Sequence, residues 1–183
     1  MQIHQLSVSH DEIQDRLLVR LNTQEAHEFR FWITRRMVLR LLPAMDQSVI
    51  RLEATQPGVA AADPGTQQIL TDIKRDVFLQ NADFGTPYSA HAQHFPLGAE
   101  PMLVTDVQLT LKAHGNLELV FQRKHEGNVQ SCHLNLQAQL VHGLIHLLRE
   151  TLVKAAWDTA APQVAPNTGS AHPMPMDSTI YKH

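Results

Sequence analysis

Hydrophobic and polar residues alternate in three short runs at the start of the chain. Period two puts every second side chain of a strand on the same face, so each run predicts a strand with one buried and one solvated face. The apolar members are Leu6 and Val8 in the first run, Leu17, Val19 and Leu21 in the second, and Phe29, Phe31 and Ile33 in the third. Polar turns separate the runs, which therefore predict an antiparallel meander of three strands.

The spacing of the apolar residues changes to that of a helix after the third run. From Arg35 they recur about every 3.6 residues and form one stripe, made of Met37, Val38, Leu41, Leu42, Met45, Val49 and Leu52. Thr34 precedes this stripe at the N-cap position, where a hydroxyl can accept a free backbone N–H of the first turn. Pro43 lies inside the stripe, so we expect the helix to be kinked or divided near residues 39–42.

A second unit with the same plan is predicted near the end of the chain. Alternating apolar residues recur at positions 107, 109 and 111 and at 117, 119 and 121, and a third strand is predicted from about Val129 to Leu134. Asn135 then takes the N-cap position of a helix that extends to Trp157. Position 17 aligns with 117 and position 33 with 134, an offset of 100 to 101 residues. We interpret the repeat as an internal duplication, with chance recurrence of a common meander-and-helix arrangement as the alternative.

Together these patterns predict an α+β fold in a single folded domain, residues 1–157. Each unit, at about 3–52 and 103–157, has a one-sided sheet and an amphipathic helix that cannot be buried alone. We therefore expect two related β-β-β-α units that share one core about an approximate two-fold axis. A helix over about 64–80, capped by Asp63, is expected to bridge them. Its predicted apolar side comprises Ile69, Leu70, Ile73 and Val77.

Two stretches fall outside this pattern. Residues 81–101 have no clear period but contain several large apolar side chains, so we expect a long loop that wraps the surface and docks them, with a short edge strand near residues 84–88. Residues 158–183 contain four prolines and little apolar periodicity, which predicts a disordered C-terminal tail.

The tandem units resemble in topology the whirly-type single-stranded nucleic-acid binders, whose units have four strands and a helix. The first unit of this chain has three predicted strands, and the resemblance includes no signature motif, so it assigns no residue. What it implies is a single-stranded DNA or RNA ligand as one candidate function.

Composition and charge narrow the class of protein. With 43% hydrophobic and 18% charged residues, the 183-residue chain has the composition of a globular protein. The net charge of −3 lacks the overall basicity of many nucleic-acid binders, so only a local basic patch could bind phosphate. The single cysteine, Cys132, excludes an internal disulfide and a cysteine-based zinc site. No stretch has the pattern of a signal peptide or a membrane span, and we expect a cytoplasmic protein without a membrane partner.

An arginine-rich segment is the main candidate for a binding site. Arg35 and Arg36 lie in the first turn of the first predicted helix, where the macrodipole favours anions over cations. Helical geometry puts Arg36, Arg40 and Arg51 on one side of that helix, opposite the apolar stripe. Alternation puts Arg30 and Trp32 on the outward face of the preceding strand. The candidate binding residues are therefore Arg30, Trp32, Arg35, Arg36, Arg40 and Arg51.

These residues admit two interpretations. A guanidinium offers a rigid fork for phosphate or carboxylate, and an outward tryptophan beside arginines can stack on bases or anchor a protein. Alternatively, the arginines form a solvated face and pair with the chain's own acids, among them Glu25, Glu28 and Asp46.

The other chemistry-bearing residues predict no catalytic, metal or cofactor site. His142, His146 and Glu150 have the spacing of metal ligands on one side of the last helix, but this is its polar side, and we expect three solvated side chains. Cys132 is expected to be buried and inert, because alternation puts it on the same strand face as Leu134. His133 points to the opposite face, so the two residues cannot act as a pair. No phosphate loop, nucleophile elbow or EF-hand pattern occurs.

The sequence thus predicts a non-catalytic binding or adaptor module whose arginine-rich helix face engages an acidic partner or an anion. The expected partner is a protein, and no cofactor is expected. A single-stranded DNA- or RNA-binding protein of whirly-like topology is the alternative. An enzyme with an unrecognised site also stays open, as does a homo-oligomer.

Overall fold

The first half of the chain forms the predicted meander and helix. The computed structural model describes residues 2–55, 59–89, 93–112 and 115–157. Strands β1 (Ile3–Asp11), β2 (Arg16–Thr23) and β3 (Glu28–Thr34) pair antiparallel in chain order, and helix α1 (Arg35–Ala54) follows directly. The inward side chains of β2 and β3 are buried, as the alternation predicted: Leu17, Val19, Leu21, Phe29, Phe31 and Ile33.

Helix α1 begins where the sequence predicted. Thr34 Oγ1 accepts a hydrogen bond from the backbone N–H of Met37 at 3.3 Å, which confirms the N-cap. The expected division at Pro43 does not occur, because α1 is a single 20-residue helix. Pro43 lies on the exposed side, where water can bond the carbonyl of Leu39 that loses its intrahelical partner.

Two elements connect this unit to the second one. Helix α2 (Pro64–Asn81) begins after Asp63, whose carboxylate accepts two backbone N–H groups of the first turn, as predicted. Strand β4 (Met102–Leu103) then pairs in parallel with β3. The edge strand of the long loop therefore lies at its end rather than at residues 84–88, which have no strand assignment.

The second unit repeats the plan of the first. Strands β5 (Asp106–Lys112), β6 (Asn116–His125) and β7 (Asn128–Gln137) form a separate antiparallel sheet, and helix α3 (Ala138–Lys154) follows. The chain is therefore α+β, with two sheets and three helices in the described residues.

The third strand of the second unit is longer than predicted, and the assignment of Asn135 as an N-cap is wrong. β7 continues to Gln137, which occupies the N-cap without a side-chain hydrogen bond. The reason is the pairing with β6: Leu136 is buried opposite Leu117. The helices consequently start at residues 35 and 138, an offset of 103, whereas the second strands keep an offset of 100.

The prediction for the apolar side of α2 is also wrong. Ile69, Ile73 and Val77 are 60%, 52% and 54% exposed. The helix instead turns Thr71 and Phe78 toward α1 and α3. Periodicity located the helix, but the contacts of Thr71 and Phe78 with α1 and α3 determine which side is covered.

The two units share one core through reciprocal packing. α1 packs on β5 of the other unit, α3 packs on β1, and the two helices contact each other. The rings of Phe31 and Phe121 meet between the sheets at 4.8 Å. Asp46 and Arg149, which occupy equivalent positions 103 residues apart, form an ion pair of 2.7 Å. Contact between equivalent positions is what an approximate two-fold relation between the helices produces.

Two sequence expectations concern the outside of this domain. The tail at residues 158–183 lies outside the described residues. Among the helices of the described ranges, none has the length and apolar character needed to cross a bilayer.

Candidate functional site

The six candidate binding residues lie in three settings. Three arginines are on the exposed side of α1, Arg30 and Trp32 are on the outward face of β3, and Arg35 is at the start of α1 beside Trp157. The side chains of the three settings differ in exposure and in the groups that they contact.

The exposed side of α1 presents three arginine side chains. Arg36 and Arg40 are one turn apart, and Arg51 lies on the same side about 16 Å further along the axis. All three side chains are exposed, and none has a hydrogen bond or ion pair within the described part of the chain. Asp46, an acid considered as their internal partner, binds Arg149 instead. We name Arg36, Arg40 and Arg51 the arginine face.

A groove with both polar and apolar lining residues borders the arginine face. It runs between α1 and β5 and has a volume of about 300 Å³. Its single acid, Asp106, lies 2.9 Å from Lys124 Nζ and is therefore already paired. This α1–β5 groove is lined by Met37, Arg40, Leu41, Ala44, Thr105, Asp106, Val107 and Leu109. Arg40, whose guanidinium has no polar partner among the described residues, thus lies beside the apolar side chains of this groove.

The outward face of the first sheet carries three arginine–aromatic pairs. The pairs are Arg16 on Trp32, Arg20 on Tyr88 and Arg30 on Phe95, with guanidinium carbons 4.8, 4.3 and 4.3 Å from the ring centres. Such contacts stabilise by cation–π attraction. Sequence reasoning missed Arg16 and Arg20, although the alternation of β2 places them outward by the rule that was applied to Arg30 and Trp32.

The long loop covers part of this outward face. Arg30 donates a hydrogen bond to the carbonyl of Ala99, and its Nε lies 4.0 Å from the buried carboxylate of Glu28. Arg30 also lies directly opposite Arg20, a like-charge pairing that costs stability unless it is offset. Burial and the nearby Glu28 charge raise the pKa of Tyr88, which keeps its phenol protonated. The long loop therefore contacts two of the three arginines, Arg20 through Tyr88 and Arg30 through Phe95.

Arg35 is engaged at the beginning of α1. Its Nη2 lies 3.5 Å from the carbonyl oxygen of Trp157. Trp157 is only 4% exposed, and its indole N–H donates to Asp15 at 2.9 Å. The cation at this helix start thus faces a backbone carbonyl, which accounts for an arginine where the macrodipole favours an anion.

The histidines of α3 separate into different environments, so the expectation of three solvated side chains is wrong for His142. This residue is 4% exposed, and its Nε2 lies 2.8 Å from Glu53 Oε1. The ring of His146 contacts that of Phe84 at 4.6 Å. Within the described ranges, no three histidine, cysteine, aspartate or glutamate residues are grouped as metal ligands.

Cys132 is buried, as predicted. Burial raises the pKa of its thiol to about 12, so the nucleophilic thiolate is disfavoured. His133 is on the opposite face of β7, with Nδ1 3.4 Å from Glu118 Oε1. The two neighbours therefore do not form a nucleophile–base pair.

The sequence matches no protein-family model, and comparison with curated proteins and with solved structures gives no significant match.

Proposed function

We propose that this protein is a non-catalytic binding module whose arginine face engages a carboxylate-rich partner. The observation that carries the proposal is the set of three exposed guanidinium groups on one side of α1, without partners in the described chain. The other arginines of the first unit contact rings, carbonyls or acids of this chain. The guanidinium groups of the arginine face are therefore the ones in this unit that can bind a partner without losing such a contact.

The position of the arginine face favours partner binding over an ordinary solvent-exposed helix surface. A 20-residue helix packed on both sheets holds the side chains on a rigid support, so little backbone order is lost on binding. Arginine forms paired hydrogen bonds with carboxylates. The adjacent α1–β5 groove adds apolar contact area, and an interface with an apolar centre and a charged rim is typical of protein partners.

A charge-matched pair of variants tests the proposal. Fluorescence anisotropy with a labelled poly-glutamate peptide should show binding that weakens as salt rises. Arg36→Gln with Arg40→Gln should raise Kd about tenfold or more, because each charge-assisted hydrogen bond contributes on the order of 1.5–3 kcal/mol.

Arg123→Gln with Lys154→Gln removes the same charge elsewhere on the exposed surface and serves as the control. Equal losses in both double variants would mean that only net charge matters. No binding at low salt would contradict the proposal itself.

A second candidate, binding of single-stranded DNA or RNA, rests on Trp32. Its ring is half-buried on an outward sheet face with Arg16 stacked on it, and aromatic–arginine surfaces bind unpaired bases by stacking. Oligothymidylate should quench the fluorescence of Trp32, and the quench should vanish in Trp32→Phe, where Trp157 still reports on folding. An unchanged emission at saturating oligonucleotide would remove this candidate.

A further inference from the structure

Reciprocal packing of the two units produces two equivalent grooves. One is the α1–β5 groove, and the other lies between α3 and β1. Equivalent positions lie 103 residues apart in helices α1 and α3 and 101 residues apart in strands β1 and β5. By these offsets the lining residues correspond as Met37 with Leu140, Arg40 with Gly143, Ala44 with Leu147, Asp106 with Gln5, and Val107 with Leu6.

The chain's own aromatic residues form part of the wall of the α3–β1 groove, which keeps a volume of about 450 Å³. Phe78 at the end of α2, followed by Phe84 and Tyr88, lines it together with α3 and β1. Phe78 lies against Gly143, where a β-carbon would already be in contact at 3.6 Å. Asp83 accepts the backbone N–H groups of the next turn and so fixes the position of Phe84. The wall of this groove therefore combines aromatic side chains with a turn that carries a carboxylate.

The α1–β5 groove has an equivalent floor, but within the described ranges no aromatic side chain lines it. No residue of α2 or of the described loop lines it. Leu39, which is equivalent to the buried His142, is 45% exposed. The clearest difference in lining is Arg40 in place of Gly143, with Arg36 one turn before it.

We propose that the α1–β5 groove binds an acidic peptide segment of a partner protein by taking up an aromatic side chain. The aromatic ring lies on the floor formed by Met37 and Val107 and under the guanidinium of Arg40. Carboxylates that flank the ring pair with Arg36 and Arg40. This inference rests on the proposed function and adds the chemistry of the partner.

The probe for the test is already present in the sequence. A fluorescein-labelled peptide that copies residues 76–89, DVFLQNADFGTPYS, contains the three aromatic side chains that line the α3–β1 groove and two aspartates. Two altered peptides separate the contributions: one has its three aromatic residues replaced by alanine, and the other has both aspartates replaced by asparagine. We expect each alteration to raise Kd at least about tenfold for the full chain, as the loss of a well-packed anchor does.

Two protein variants locate the binding. Ala44→Trp fills the groove and should raise Kd at least tenfold, whereas Gln47→Trp, on the exposed side of the same helix, should leave Kd within about twofold. Because Ala44→Trp could disturb folding, methionine-methyl NMR of the unmodified protein gives an independent readout. The Met37 methyl should shift on titration, and the methyls of the buried Met45 and Met102 should not.

The outcomes distinguish the groove from the arginine face. If the aromatic-free peptide binds as well as the original and Met37 does not shift, the groove inference is overturned while the proposed function stands. If neither peptide nor poly-glutamate binds, both are overturned. A concentration-dependent dimer that Ala44→Trp disrupts would identify a second copy as the occupant and would also overturn the inference.

Discussion

His142 and Glu53 form a buried polar contact between α3 and α1. Their Nε2–Oε1 distance is 2.8 Å, and Lys74 Nζ lies 3.5 Å from the second oxygen of Glu53. His142→Leu leaves the buried carboxylate with Lys74 alone, so we expect a loss of about 3 kcal/mol in the free energy of unfolding. Urea denaturation followed by circular dichroism measures this loss.

The double variant and an exposed pair provide the controls for this contact. His142→Leu combined with Glu53→Leu removes both polar groups and should recover much of the loss. His133→Leu breaks the exposed pair with Glu118 and should cost less than about 1 kcal/mol. If His142→Leu costs no more than His133→Leu, the buried contact does not stabilise the helix pair.

The raised pKa of Cys132 gives a pH dependence. Burial raises the pKa of the folded thiol from its ordinary value of 9.0 to about 12, so the unfolded chain releases its proton first as pH rises. The contribution of the protonated thiol to stability is complete below pH 9 and decreases toward pH 12. Cys132→Ala should therefore weaken the fall in stability over that interval, as measured by urea midpoints at several alkaline pH values. An identical fall in the stability of both proteins would contradict the raised pKa of Cys132.

At the residue scale, the sequence predicted the face on which a side chain lies better than it predicted the groups that the side chain contacts. Alternation placed Arg30 and Trp32 outward because strand geometry is local. The ring that covers Arg30 comes from Phe95, and the carbonyl beside Arg35 comes from Trp157. Those contacts join distant parts of the chain, so periodicity alone contains no information about them.

At the scale of single elements, α2 provides a direct test of its orientation. Ile73→Gln changes a half-exposed side chain and should alter the free energy of unfolding by less than about 0.5 kcal/mol. Phe78→Ala removes a ring packed against Gly143 and should cost about 3 kcal/mol. Thermal and urea unfolding of both variants give the comparison. A large loss for Ile73→Gln would mean that this side of α2 is covered in solution.

The elements themselves were largely predictable, and their ends less so. Thr34 and Asp63 were recognised as N-caps because a short polar side chain preceded a helical period. Asn135 has the same character but belongs to β7, since its neighbour Leu136 pairs with Leu117. The strand-to-helix boundary is thus set by cross-strand pairing rather than by the local residue type.

At the scale of the whole molecule, reciprocal packing predicts that neither half folds alone. A cut at Gly98, in an exposed turn with a φ of +101°, separates α3 from β1 and α1 from β5. Circular dichroism of each fragment should show no cooperative thermal transition, whereas the mixed fragments should regain one. A chain that ends at Trp157 is the control; Trp157 is kept because it is buried. A cooperative transition in either isolated half would contradict the shared core.

The ion pair between Asp46 and Arg149 has a consequence for how such a molecule can be assembled. If one unit associated with an identical twin, each of these positions would confront its own copy, aspartate against aspartate or arginine against arginine. Linking the units in one polypeptide frees the two positions to differ, and repulsion becomes attraction. The same freedom lets the two flanks differ, with Phe78, Phe84 and Tyr88 along the α3–β1 groove and Arg40 along the α1–β5 groove.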